Sequence, residues 1–79
     1  MVINVRLFAL TREIAGKKAF IQTLTEGATL EDFTRVLYET YPAMRNLKLR
    51  FAVNMTYSTL DTILHENDEV ACIPPVGGG

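Results

Sequence analysis

The residues best suited to chemistry stand together at one end of the sequence, Pro74-Pro75-Val76-Gly77-Gly78-Gly79. Two prolines fix φ near the polyproline value and supply no amide donor, so they predict a stiff stalk leaving the last folded element. Three residues without side chains follow, the thinnest peptide available, able to enter a slot that any Cβ would block. At about 3.3–3.6 Å per extended residue, the stretch from Pro75 to Gly79 reaches about 17 Å, enough to enter another protein's active site. The reacting group on such a tail is the carboxylate of Gly79. A carboxylate is a poor acyl acceptor until it is activated, for example as an acyl-adenylate, after which sulfur or an amine attacks the carbonyl. Glycine is the least hindered residue for that step. The same residues also fit a frayed terminus or an added glycine scar, and a terminal Gly-Gly alone does not separate these readings.

Elsewhere the chemistry is sparse. The sequence has one cysteine, Cys72, and one histidine, His65, so an internal disulfide and a structural zinc site are both excluded, and a reducing, cytoplasmic setting is expected. Cys72 reads as a packed strand thiol rather than a nucleophile, and His65 as a turn residue. Arg45, Lys48 and Arg50 cluster, but 8 Lys+Arg against 9 Asp+Glu leave a net charge of -1, without the basic footprint of a nucleic-acid binder. The cluster reads as a solvated loop and strand start. The N-terminus lacks the pattern of a signal peptide, and no segment approaches the roughly eighteen apolar residues that a membrane span needs. A length of 79 residues allows one domain and one core, expected over 1–74, with 75–79 projecting as a tail. A domain this small leaves little for an enclosed pocket, and no autonomous active site is expected.

The elements that must position the tail follow from periodicity. From Val2 to Leu10 the residues alternate, placing Ile3, Val5, Leu7 and Ala9 on one face of a strand and Asn4, Arg6 and Phe8 on the other. A ring as large as Phe8 on the outer face is either covered by a neighbouring element or open to a partner. Thr11 is suited to cap a short helical turn through Ala15, which Gly16 then stops. Lys18 to Leu24 reads as a second strand whose inward face is ambiguous between Phe20/Leu24 and Ile21. Thr29-Leu30-Glu31-Asp32 forms a capping-box variant opening a helix. In that helix Leu30, Phe33, Val36, Leu37 and Tyr41 share one stripe, while Glu31, Arg35 and Glu39 form an outer ladder; Pro42 ends it.

Leu49 to Val53 reads as a third strand, Asn54-Met55 as a turn, and Tyr57 to Leu64 as a weaker extended stretch. Asn67-Asp68 turns into a final strand, Glu69 to Ile73, halted by Pro74-Pro75. If Val70 and Cys72 face the core, Ala71 and Ile73 face outward. This order predicts an α+β β-grasp, the ubiquitin-like roll, with one mixed sheet packed on one main helix. A ferredoxin-like fold would need a second helix between Val53 and Val70, which Asn54, Thr56, Ser58, Thr59 and Thr62 disfavour.

Phe51-Ala52-Val53-Asn54, then Asp61, Leu64 and Asp68-Glu69-Val70-Ala71 leading into Pro74-Pro75-Val76-Gly77-Gly78-Gly79, resemble the small subunit of molybdopterin synthase. Val5-Arg6-Leu7-Phe8-Ala9, Arg12-Glu13 and Gly16 resemble the first strand and turn of the same family, so the resemblance covers nearly the whole chain. It implies a sulfur carrier without a bound cofactor. Its Gly79 would be adenylated from ATP by an E1-like activating enzyme and converted to a thiocarboxylate by a sulfur donor. The tail, with Gly78 threading the channel, would then enter the large subunit of a heterotetrameric synthase and pass sulfur to a pterin precursor, building the dithiolene that holds molybdenum or tungsten. By this resemblance Phe8, Arg12, Tyr57, Ile73, Pro74, Pro75, Val76 and Gly77 form the partner interface. Cys72 and Ile73 stand where the family commonly has aromatic residues, and Gly77 where it often has Ala, Ser or Thr. Three other readings share the tail: a sulfur carrier for thiamin thiazole or transfer-RNA thiolation, a ubiquitin-like protein modifier, and a plain interaction domain. The length and the proline pair favour the molybdopterin branch over the thiazole branch.

Overall fold

The computed structural model describes residues 1–75; Val76, Gly77, Gly78 and Gly79, to which the sequence assigns the tail chemistry, lie outside the described residues. Alternation produces β1 (Val2–Leu7), in which Ile3, Val5 and Leu7 are fully buried. The strand stops short of Ala9. That residue takes φ 51° and ψ -123° and is exposed, because Phe8 to Thr11 closes a tight turn through the Thr11 N–H and the Phe8 carbonyl, 3.1 Å apart. A short helix, α1 (Leu10–Ala15), follows, and Gly16 ends it in the left-handed conformation that glycine adopts without steric cost. Thr11 lies inside α1 rather than capping it.

The second strand, β2 (Ala19–Thr23), pairs antiparallel with β1, with Phe20 opposite Val5. Phe20 packs against the core and Leu24 is buried, whereas Ile21 is 68% exposed, which settles the inward face. The main helix, α2 (Leu30–Thr40), opens on the expected capping box: the Thr29 hydroxyl accepts from the Asp32 N–H, and the Asp32 carboxylate accepts from the Thr29 N–H at 2.8 Å. Leu30, Phe33 and Leu37 are buried; Val36 and Tyr41 reach the core only in part. The expected outer ladder is replaced by a nearer pair, since Arg35 meets Asp32 at 3.2 Å. Pro42 ends α2 and starts a 3-10 turn, Pro42–Asn46, which buries Met44.

The chain then forms β3 (Arg50–Val53), a two-residue turn, β4 (Thr56–Tyr57) and, after a loop, β5 (Glu69–Ile73). The sheet runs β2-β1-β5-β3-β4, with β1 and β5 parallel and the other pairs antiparallel. On its inner face α2 covers the core, where the rings of Phe33 and Phe51 meet edge to face at 6.2 Å and 88°. This is the β-grasp roll with its mixed sheet and single main helix.

The capping box carries a pH signature. Hydrogen bonds from the Thr29 backbone and hydroxyl, and then the Arg35 charge, hold the Asp32 carboxyl below its ordinary 3.8. A carboxylate with a lowered folded pKa favours the native state when ionised, so its stabilisation is complete above 3.8 and fades as pH falls through the lowered value. Urea unfolding followed from about pH 6 to about pH 2 should therefore show a shallower acid-side decline for Asp32→Asn than for the parent chain. Equal slopes would contradict this account of the helix start.

Candidate functional site

The parallel register of β1 and β5 sets Leu7 opposite Cys72. The next residue on each strand, Phe8 and Ile73, therefore emerges side by side on the outer, helix-free face, at the end where Pro74 and Pro75 leave the sheet. Pairing of Ala71 with Ala52, and of Ala52 with Tyr57, extends this face across β3 to β4. Small alanines in the middle and large side chains around them produce an open cavity of about 390 Å³. Phe8, Met55, Tyr57, Ala71 and Ile73 line it, with Arg6 and Glu69 along one side, 3.6 Å apart as an ion pair. Phe8 and Tyr57 remain 37% and 56% exposed, more than packing inside the fold accounts for.

Each aromatic ring is backed by a guanidinium. Arg50 lies 4.1 Å from the centroid of the Tyr57 ring, and Arg12 lies 6.0 Å from that of Phe8 while donating to the Leu7 carbonyl at 3.3 Å. Of the residues assigned to an interface by the sequence, Phe8, Tyr57 and Ile73 come together at one cavity and Arg12 stands against Phe8. Pro74 is half-buried and Pro75 is exposed, whereas Val76 and Gly77 lie outside the described residues. The basic cluster divides: Arg50 serves Tyr57, and Arg45 stacks on Tyr38 at 5.8 Å.

Two features of the site escape sequence reasoning. The first is Thr11, which is fully buried. Its hydroxyl accepts from the Phe8 N–H at 2.9 Å, donates to the Phe8 carbonyl at 2.7 Å and lies 3.4 Å from the Cys72 carbonyl. One side chain thus ties the Phe8 turn to the strand that leads into the tail. The second is the latch on the hairpin turn, the turn itself standing where Asn54-Met55 predicts it. Asn54 and Met55 both take positive φ, 50° and 70°, as a two-residue hairpin of the right twist requires. The Asn54 side chain donates to Asp68 and accepts from the Glu69 N–H, each at 2.9 Å, latching this hairpin to the start of β5. An Asn followed two residues later by a strand is the local signal for the turn; the latch itself joins distant segments.

Burial also decides what Cys72 can do. Loss of water around the thiol pushes its pKa up to about 12, so it stays protonated and is no nucleophile. Among the described residues no three His, Cys, Asp or Glu side chains approach closely enough to hold a metal, and no helix is long and apolar enough to cross a membrane.

Thr11 is open to direct test. Thr11→Val keeps the shape but leaves the Phe8 N–H without its partner, a loss of about 1–3 kcal/mol. Thr11→Ser keeps the hydroxyl and should lose less than about 1 kcal/mol, the value of one methyl group. Urea denaturation of the two variants measures the difference, and equal losses would rule out the hydroxyl as the cause.

Comparison with known proteins agrees with this architecture. The model of the ThiS family matches residues 5–79. The molybdopterin synthase sulfur carrier subunit of Haemophilus influenzae is 37% identical, over 99% of this chain and 100% of its own. Among solved structures, SAMP1 of Haloferax volcanii superimposes with a TM-score of 0.86 at 26% identity, covering 100% of both chains. A chain from the protein-protein complex of subunits 1 and 2 of the Helicobacter pylori molybdopterin-converting factor also covers 100% of both, with a TM-score of 0.73 at 26% identity. A match that runs from the first strand to the last glycine, over a superimposable fold, makes this chain a member of the ThiS family.

Proposed function

We propose that the chain is the sulfur carrier subunit of a molybdopterin synthase, serving the synthesis of a molybdenum or tungsten cofactor in the cytoplasm. The observation that carries this reading is the open apolar face at the root of the tail, in a chain related over its whole length to such carriers. A face built from Phe8, Tyr57 and Ile73 holds a partner in place, and the strand between them delivers the tail into that partner.

The domain is a handle and the reaction takes place on Gly79. An E1-like enzyme presents ATP to its carboxylate; a carboxylate oxygen attacks the α-phosphorus and pyrophosphate leaves, giving the acyl-adenylate. The terminal sulfur of a persulfide on a donor protein attacks the acyl carbon and the C–O bond to AMP breaks, giving an acyl disulfide. A thiol then attacks the donor-side sulfur, the S–S bond breaks, and the thiocarboxylate leaves while the donor keeps a disulfide. The tail then enters the large subunit with Gly78 in the narrow part of the channel, where a side chain would obstruct it. There the sulfur passes to the pterin precursor and hydrolysis restores the carboxylate. Docking through Phe8, Arg12, Tyr57, Ile73, Pro74, Pro75, Val76 and Gly77 holds the tail for both partners in turn.

Intact mass after expression with the native pathway tests the chemistry. One sulfur replacing one oxygen, lost on deletion of Gly79, is the expected result; an unchanged mass beside an active adenylating enzyme and sulfur donor would overturn it. Isopeptide-linked ladders containing this chain would instead favour a protein modifier. Binding of the large subunit should weaken about tenfold or more in Phe8→Ala or Ile73→Ala, as loss of a central apolar anchor predicts. Unchanged binding in both would remove this face from the interface.

A further inference from the structure

We infer that Met55, at the tip of the β3–β4 hairpin, is a partner-binding contact of this chain, inserting into an apolar recess of the large subunit beside the Phe8–Ile73 anchor. The inference rests on the proposed docking role of the outer face.

Three observations converge on this side chain. Met55 holds φ 70° at the second central position of its turn, where glycine is the residue of choice and a bulky side chain is strained. It is 90% exposed, so no packing within the domain offsets that strain. It nevertheless lines the same cavity as Phe8, Tyr57 and Ile73, so its thioether extends the apolar face by one further large group. Isolated apolar residues on a surface are ordinary and need no explanation. Leu60 and Ile63, also exposed, do not border this cavity; Met55 does.

The hairpin needs nothing that Met55 supplies. Asn54 makes the side-chain bonds that latch the turn to Asp68 and Glu69, and the pairing of Val53 with Thr56 is backbone. A residue that strains the free domain and fills no space in it gains its contacts when a second surface covers the cavity. The chemistry of the recess follows from the side chain. Methionine is flexible, polarizable and uncharged, and suits an irregular apolar depression rather than a charged rim. The polar side of the cavity is occupied separately, by the Arg6–Glu69 pair. Met55 stands at the hairpin edge of the groove, where it adds a contact beside the central anchor.

Two substitutions separate contact from fold. Met55→Gly relieves the positive-φ strain, so the free chain should melt about 4 °C higher or more, while its affinity for the large subunit should fall about tenfold. Met55→Gln keeps the length and the strain but replaces the thioether with a polar amide, and should lose a similar affinity with the melting temperature unchanged. Calorimetric titration of each full-length chain with the large subunit, beside the parent and Phe8→Ala, gives the answer. Weaker binding in both Met55 variants, with stability raised or unchanged, supports the inference. Parent-like binding in either variant while Phe8→Ala is weakened overturns it and leaves the docking role standing. Parent-like binding in Phe8→Ala, Met55→Gly and Met55→Gln together overturns the docking role and the inference with it.

Discussion

The parallel pairing of β1 with β5 is the constraint on which the rest depends. It joins residues 4–7 to residues 69–72, the two ends of the folded chain, in the middle of the sheet. Parallel neighbours cannot be linked by a tight turn, so the intervening chain must travel across the sheet and return. It does so by laying α2 over the inner face and adding β3 and β4 beyond β5. The root of the tail is thereby fixed beside Phe8, and only a chain whose last strand is seated presents the two together. Thr11 reinforces this coupling from the side, because its buried hydroxyl faces both the Phe8 turn and a carbonyl 61 residues away.

The residues that carry the family resemblance divide into two kinds. Asn54, Asp68 and Glu69 do no chemistry; they close one side-chain and backbone latch between a hairpin and the central strand. Asp68 in addition accepts from the His65 N–H at 2.8 Å, which fixes the turn that leads into β5. Such residues are recognisable because the geometry admits few substitutes: a short amide side chain that tolerates positive φ and bonds in two directions. The proline and glycine run is recognisable for a different reason, the absence of side chains and donors. A search for chemistry among the first kind would mistake a clasp for a site.

Local rules made much of the fold legible. Alternation located the buried faces of β1 and β5, the Thr29–Asp32 box located the start of α2, and Gly16 located the end of α1. The departures arise where tight turns, or contacts between segments far apart in sequence, override a periodic pattern. Met44 is buried by a 3-10 turn that no periodic pattern announces, and Thr11 resembles a helix cap until the carbonyl of Cys72 arrives beside it. Ala9 continues an alternation that the turn at Phe8 interrupts. At the outer face, parity along a strand was enough to place Phe8 and Ile73. Met55 was not legible, since its role in lining the cavity follows from a hairpin twist and from the neighbour that the sheet order supplies.

The same arrangement suits this domain to the proposed role of a carrier, which needs a surface for a partner. Its cavity on the outer face is open to water, and the charged groups along it, Arg6 and Glu69, are already occupied with one another. The one thiol in the sequence, which could intercept an activated acyl group, is buried on the core side of β5 and kept protonated. A carrier of an activated carboxylate benefits from that inertness, because a nucleophile within reach of its own tail would consume the group before delivery. In the proposed reading, exclusion of water, positioning and charge stabilisation come from the protein that covers the face. On the proposed reading docking and chemistry are separated along the chain, the apolar groove holding the partner and the terminal glycines carrying the reaction.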